Sequence, residues 1–152
     1  MFKSGRLLRV SSVESTNKEK RLFLGWKGPD IGEFANIRQE MDEDITDGTV
    51  NSEILKWLGG QQKSSTFQGI IQELERLGHR RFMSFDGKDF YGRYEPFGIN
   101  VKLMTCPALN LPLLVEIEKM AITEKEAIRC QQDLRELCSR FQLENRLVRE
   151  EP

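Results

Sequence analysis

Few residues of this chain have the types and spacing that catalysis requires. The single histidine, His79, has no second histidine with which to share a metal ion or a proton relay, and no cysteine stands near it in sequence. His79 directly follows Gly78, which is typical of the end of a helix. Carboxylates alone could carry acid–base chemistry, but the spacing singles out no pair of them. The sequence therefore predicts no catalytic residue, no metal ligand and no cofactor, and a small carboxylate-based enzyme is a distant alternative.

The cysteines and the absence of long apolar runs bear on where the protein works. Cys106, Cys130 and Cys138 are odd in number and lack the spacing of a disulfide framework. The first ten residues mix basic side chains with short apolar stretches and do not resemble a secretion signal. No apolar run approaches the roughly 20 residues needed to cross a bilayer. We expect free thiols in an intracellular protein of the cytoplasm or nucleus, without membrane insertion.

Charge is distributed unevenly along the first third of the chain. Residues 1–27 contain seven basic and two acidic side chains, whereas residues 28–48 contain one basic and seven acidic side chains. Two interpretations are open. The blocks neutralise each other across the fold, which we favour, or one block binds a polyanion and the other a protein partner.

The first half of the chain shows strand and helix patterns in turn. Apolar runs predict strands at 7–10 and 21–26 around a polar turn, and Phe34, Ile37 and Met41 predict a short helix over 33–42. The acidic residues 42–48 predict a loop. A short helix with Ile54 and Leu55 follows and stops at Gly59 and Gly60.

A second helix is predicted to begin near Ser64, and Ser65 with Gln68 has the spacing of a capping box. Its buried face is predicted to contain Phe67, Ile70, Ile71, Leu74 and Leu77. Asp86–Gly87 lies between aromatic-rich segments at 81–85 and 90–94, which predicts a hairpin.

The C-terminal third predicts strands followed by a long helix. Alternating residues at 99–103 and an apolar run at 111–117 indicate strands, and a helix over 123–148 begins at a Thr123–Glu126 capping box. The predicted fold class is α+β, with an antiparallel sheet packed against helices 64–77 and 123–148. We expect a single domain, 1–152, divided into a basic strand pair (1–27), an acidic connection (28–48), a helix-turn-helix-hairpin (49–94), strands (95–122) and the long C-terminal helix (123–148).

The segment 49–94 resembles the second and third helices and the wing of a winged helix-turn-helix domain. The residues that carry the resemblance are Asn51–Gly59, Ser64–Gly78, Arg80–Phe82 and the Asp86–Gly87 turn, less than a third of the chain. The resemblance implies that the helix beginning near Ser64 enters the major groove of DNA, while basic residues after it contact phosphates. The residues implied in nucleic-acid binding are Lys63, Ser64, Ser65, Gln68, Arg80, Arg81, Lys88 and Arg93. Against this function, the first helix of such a domain would come from the acidic residues 33–42, which phosphates repel.

The C-terminal helix carries a narrow apolar stripe at spacings of three and four, with charged residues on both sides. A narrow stripe is typical of the seam between two helices, whereas a helix that lies on a sheet usually has a wider apolar face. We expect self-association or a docked partner helix along Leu134, Leu137 and Phe141. The alternative is burial of this stripe within the same chain.

These features favour a non-catalytic protein-interaction or assembly protein that acts through surface contacts and its C-terminal helix. The second hypothesis is a regulatory protein that binds nucleic acid through 49–94. Salt-dependent binding to DNA or RNA separates the two, because phosphate contacts release counterions.

Overall fold

The structure is a computed structural model that describes residues 6–49, 51–60, 64–109 and 111–147. It begins with a β-hairpin of strands β1 (Leu7–Glu14) and β2 (Lys20–Lys27), paired antiparallel. The turn between them contains Lys18 with a φ of 65°. Both strands and the polar turn confirm the prediction, although each strand is longer than the apolar run that indicated it.

Part of the acidic segment forms a strand. Strand β3 (Glu40–Asp44) pairs antiparallel with β2, so the prediction of a helix over 33–42 is wrong. The loop predicted over 42–48 is wrong for residues 42–44 and confirmed for 45–48. Its carboxylates meet the basic strands: Lys27 lies 3.1 Å from Glu40, Arg9 lies 3.2 Å from Asp42, and Arg21 pairs with Asp44. Neutralisation of the basic block by the acidic block is thereby confirmed for these three pairs.

One carboxylate of β3 instead holds the start of a helix. Glu43 accepts hydrogen bonds from the backbone N–H of Glu53 at 2.8 Å and of Ile54 at 3.0 Å. Ser52 is the N-cap of this helix, α1 (Glu53–Trp57), and accepts a bond from the N–H of Leu55. The short helix and its stop before the two glycines are confirmed.

Helix α2 (Phe67–Arg76) packs its apolar stripe into the core of the first sheet. Ile70 and Leu74 are buried, Leu77 packs against them, and Phe67 and Ile71 are half-buried, which confirms the predicted face. The predicted Ser65–Gln68 capping box is wrong, because the N-cap is Thr66, which accepts from the N–H of Gly69.

The second sheet consists of β4 (Lys88–Tyr94), β5 (Ile99–Cys106) and β6 (Leu111–Glu118), in that order and antiparallel. A short 3-10 helix at Glu95–Phe97 links the first two of these strands. The predicted hairpin about Asp86–Gly87 is wrong, because residues 80–87 form no regular structure and β4 pairs with β5. The aromatic residues of 90–94 therefore lie in a strand, but this strand pairs with β5, which follows it, and not with residues 81–85.

The C-terminal helix α3 (Glu124–Arg140) begins as predicted and ends earlier. Thr123 accepts a hydrogen bond from the N–H of Glu126. The helix ends in a Schellman motif, since the N–H of Leu143 donates to the backbone carbonyl of Cys138 and the N–H of Gln142 donates to that of Ser139. Gln142 has a φ of 54°, which no helix continues through. The predicted extent of 123–148 is thus wrong beyond Arg140, and Val148 lies outside the described residues.

The fold class is α+β, as predicted, and within the described residues it contains two antiparallel three-stranded sheets and three α-helices. The sequence predicted one domain with one sheet. The chain divides into two compact units: the first comprises Met1–Ile31 and Arg38–Phe82, and the second comprises Gly32–Ile37 and Met83–Pro152. The sheet β1–β3 belongs to the first unit and the sheet β4–β6 to the second.

Candidate interaction surface

A row of exposed apolar side chains crosses the sheet of the second unit. Phe90 of β4 pairs with Leu103 of β5, which in turn pairs with Val115 of β6. Side chains of directly paired residues lie on the same face of a sheet. Their exposed fractions are 60%, 37% and 46%, respectively, and Leu113, two residues before Val115, is exposed on the same face. We call these four residues the apolar face.

The same side of the sheet is covered at its other end. Ile99 is fully buried, and its strand partner Tyr94 meets Phe141 edge to face at 5.9 Å. Because Phe141 directly follows α3, the C-terminal end of this helix packs near that end of the sheet. The sheet therefore has one covered end and one open end on a single side, and the apolar face is the open end.

The opposite side of this sheet carries a polar row that centres on Lys102. Tyr91, Lys102 and Glu116 form a direct cross-strand row, and the ammonium of Lys102 lies 3.4 Å from carboxylate oxygens of both Asp89 and Glu116. Burial by itself would lower the pKa of Lys102. The charges of Glu116, Tyr91 and Asp89 outweigh burial and raise its pKa above the ordinary value. The row is charge-compensated and holds the three strands together.

The three residues predicted for the partner seam of the C-terminal helix have different surroundings. Leu137 is buried, Leu134 is half-buried, and Phe141 is half-exposed beside Tyr94. Leu137 already contributes to the interior of its own chain. Gln131, one helical turn before Leu134, is also contacted within the chain, because its side chain accepts hydrogen bonds from the N–H groups of Phe34 and Ala35.

A shallow groove of about 560 Å³ runs between α3 and the end of β6. Lys119 and Asp133 form an ion pair across it, and the hydrogen bond from Lys119 to Asp133 raises the pKa of the lysine. Glu126, Arg129 and Glu136 also line the groove. Charges of both signs nearly balance there, so the groove lacks the single-sign field that attracts a charged ligand.

The residues predicted to bind nucleic acid do not form one surface within the first unit. Ser64, Ser65 and Gln68 lie around the start of α2, whereas Arg80 and Arg81 follow its end. A helix of 10 residues separates the two groups by about 15 Å. The carbonyl of Ser64 accepts a hydrogen bond from the N–H of Thr49, and the N–H of Ser64 donates to the Thr49 hydroxyl. These two bonds fix the backbone that leads into the helix. Lys63 lies outside the described residues.

The two remaining members, Lys88 and Arg93, belong to β4 in the second unit. They are five positions apart, so their side chains leave opposite faces of the strand. Lys88 shares the side of Phe90, while Arg93 shares the side of Tyr91 and contacts Glu95 at 3.4 Å.

The candidate chemical groups have structural roles. The N–H of His79 donates to the carbonyl of Leu74 at 3.0 Å, and Gly78 before it has a φ of 90°, so His79 lies at a helix end as predicted. Cys130 and Cys138 are free and buried. Burial, together with the charge of Glu144, raises the pKa of the Cys138 thiol. Among the described residues, no group of histidine, cysteine, aspartate and glutamate side chains is placed to hold a metal ion.

Sequence reasoning missed the apolar face. An apolar run at 111–117 favours a buried strand, yet Leu113 and Val115 are exposed. The aromatic segment 90–94 favours a sheet with one aromatic face buried, yet Phe90 and Tyr91 are exposed on opposite faces. The useful signal was the alternation of apolar and polar residues along 99–103, which identifies the side but not how much of it is covered.

Comparison with known proteins gives a fold and no family. No protein-family model and no curated protein matches the chain. A solved structure, the PH1819 protein from Pyrococcus horikoshii OT3, is similar with a TM-score of 0.64 at 20% sequence identity. The match covers 91% of this chain and 66% of that one, so the chain spans just under two thirds of that protein. No helix in the part of the chain described here is long and apolar enough to cross a membrane.

Proposed function

We propose that this chain is a non-catalytic protein-interaction or assembly protein whose binding surface is the apolar face of the second unit. The observation that carries the proposal is the cross-strand row Phe90–Leu103–Val115, which is exposed across all three strands of a sheet. Contiguous apolar patches on soluble proteins mark interaction sites more often than scattered apolar residues do.

The position of the row within the sheet strengthens this argument. Leu103 belongs to the central strand, where a residue on the covered side of a sheet is ordinarily buried. A partner that covers the row would remove it from water and gain about 25 cal/mol for each Å² of apolar area buried. The aromatic ring of Phe90 at the margin of the row is of the type enriched at interfaces.

A second candidate function is nucleic-acid binding, and one observation favours it. Tyr91 is 75% exposed and shares its side of β4 with the exposed Arg93, so an aromatic ring and a cation stand two positions apart. Such a pair suits a stacking platform for a single strand. The same side carries Asp89 and Glu116, whose charges oppose phosphate.

Site-specific photo-cross-linking tests the first proposal. A photoreactive phenylalanine analogue is placed at Phe90 and at Val115 in separate full-length proteins, and at the more exposed control position Ile122. After irradiation in an extract of the native cells, we expect one identified protein, or the chain itself, to be joined at both test positions and not at Ile122.

The cross-linked product must then form from purified components. It must be lost when the Leu103→Lys substitution is introduced into the same photoreactive protein. Ile122→Lys is the matched control, because Ile122 is 95% exposed and lies outside the sheet. Identical products at all three positions would contradict the proposal. Retention of the wild-type protein on single-stranded DNA or RNA, with steep dependence on salt, would instead support the second candidate.

A further inference from the structure

We propose that the edge strand β4 pairs antiparallel with β4 of a second copy of this chain, joining two second-unit sheets into one six-stranded sheet. The inference goes beyond the proposed function, since it concerns the edge of the second-unit sheet and leaves the apolar face open to its own partner. Its basis is the sequence of β4 and the exposure of that strand.

β4 is an edge strand whose residues from Lys88 to Arg93 are all exposed. Proteins usually protect long edge strands, because an exposed edge is a template for pairing with another chain. Strand β3 at an edge of the first sheet is short and acidic, which discourages such pairing. β4 is seven residues long and has aromatic side chains on both of its faces.

The sequence of β4 is complementary to itself in one register. A two-fold axis perpendicular to the sheet and through Tyr91 places Asp89 of one copy opposite Arg93 of the other, twice by symmetry. Directly opposed residues of opposite charge stabilise an antiparallel pair, and like charges destabilise it. Moving the axis by one residue toward Phe90 opposes Asp89 to Tyr91, and moving it toward Gly92 opposes Asp89 to Glu95. The register centred on Tyr91 is therefore the one that matches charge.

The same register also fills the space left by Gly92, on the face of β4 opposite to Asp89 and Arg93. It places the ring of Phe90 over Gly92 of the second copy, and Gly92 has nothing within 4 Å of the position that a Cβ would occupy. Aromatic side chains opposite glycine compensate for the missing side chain in a strand. Lys88 then faces Tyr94, a favourable contact between a cation and an aromatic ring.

The contacts that Asp89 and Arg93 make within one chain do not prevent their pairing between two copies. Arg93 contacts Glu95 at 3.4 Å with both side chains more than half exposed, and such surface pairs contribute little. Asp89 lies 3.4 Å from Lys102, which keeps Glu116 as a second partner. In the paired sheet the two apolar faces lie on one side and become continuous, because a two-fold axis perpendicular to a sheet keeps its sides.

Charge reversal tests the register. In the full-length protein, Asp89→Arg opposes two arginines twice, and Arg93→Asp opposes two aspartates twice. We expect each variant to weaken self-association by about tenfold or more in sedimentation equilibrium. An equimolar mixture of the two variants should restore a heterodimer, because each Asp then faces an Arg. Glu75→Arg, a matched charge reversal at an exposed position of α2, should leave self-association as strong as in the wild type.

The mixture distinguishes this arrangement from other modes of association, once circular dichroism shows that each variant alone is folded like the wild type. A wild-type protein that stays monomeric up to about 1 mM, well above the dissociation constants of specific dimers, would overturn the inference and leave the proposed function of the apolar face standing. A dimer that survives both reversals but is lost on Leu103→Lys would also overturn it, because association would then occur face to face. No heterodimer in the mixture would overturn the register.

Discussion

The two units of this chain follow one plan and differ in how completely they cover their sheets. Each has a three-stranded antiparallel sheet followed by helix, and the main helix of each begins at a threonine N-cap, Thr66 or Thr123. Each of these helices ends in a Schellman motif, at Gly78 in the first unit and at Gln142 in the second. The shared plan extends to the helix ends.

The interiors are different. In the first unit, buried residues from the sheet and both helices form one cluster, which contains Leu24, Ile45, Ile54, Leu55, Ile70 and Leu74. In the second unit, Ile99 and three residues of α3 are buried, while the row through Leu103 is exposed. The same secondary structure therefore produces a closed core in one unit and an open apolar face in the other. We interpret the first unit as the source of stability and the second as the source of binding.

Truncation of the first core should produce the largest effect. We expect Ile70→Ala to lower the free energy of unfolding by about 2–5 kcal/mol, because Ile70 is fully buried and leaves a cavity. Phe90→Thr, which keeps strand propensity, should cost less than about 1 kcal/mol in the monomer. Urea denaturation at low protein concentration measures both, and equal losses would remove the distinction between the units.

A buried carboxylate gives the next effect, again in the first unit. Glu73 is buried, and Arg76 approaches both of its carboxylate oxygens at 2.7 Å. Arg76→Ala removes a charged partner and should cost about 1–3 kcal/mol. Lys56→Ala, which breaks an exposed pair with Glu53, should cost at most about 0.5 kcal/mol. Similar losses in the two variants would show that burial of Glu73 adds nothing.

The units should also respond to opposite ends of the pH scale. Hydrogen bonds from the Thr46 side chain and backbone, with the charge of Arg21, lower the pKa of Asp44 in the first unit. A lowered pKa stabilises the fold above the unfolded value of 3.8, and the contribution is lost as pH falls through the folded value. The raised pKa of Lys102 in the second unit stabilises the fold below 10.5, and the contribution is lost as pH rises through the folded value.

Stability measured across pH in two variants separates these contributions. Asp44→Asn should flatten the decline in acid and leave the alkaline limb as it is in the wild type. Lys102→Met should flatten the decline in alkali and leave the acidic limb unchanged. If Asp44→Asn altered only the alkaline limb, the assignment of these groups would be wrong.

The smallest effect concerns the one difference between the helix ends. Gln142 adopts a left-handed conformation that Gly78 adopts without steric cost. Gln142→Gly should therefore raise the free energy of unfolding by up to about 1 kcal/mol, and Gly78→Ala should lower it by a similar amount. Thermal unfolding of the two variants checks both signs, and a destabilised Gln142→Gly protein would contradict the Schellman assignment.

Local signals predicted the elements whose contacts are local. The capping threonine at 123, the stop at Gly59 and the stripe of α2 depend on residues within a few positions of each other, so the sequence contains their cause. The helix predicted over 33–42 failed because its contacts are distant. Residues 40–44 pair with β2, while the N–H groups of Phe34 and Ala35 bind Gln131, which is about a hundred positions away.

The apolar face could not be predicted because coverage is a tertiary property. Alternation along β5 tells which residues share a side, but nothing in it shows that Ile99 is covered while Leu103 on the same side is exposed. Leu137 of the predicted seam is a similar case. Its spacing suited contact with a partner helix, but the chain itself buries it. For the same reason, the basic residues chosen from 63–93 are divided between the two units.

Hydroxyl-radical footprinting measures whether a partner covers the apolar face of the second unit. The full-length protein is oxidised in dilute purified form and in an extract of its native cells, and the rates at Phe90 and Leu103 are compared with that at Met120, which is exposed outside the sheet. We expect slower oxidation of Phe90 and Leu103 in the extract, with Met120 unchanged. Equal rates at Phe90 and Leu103 in the two samples would contradict this expectation.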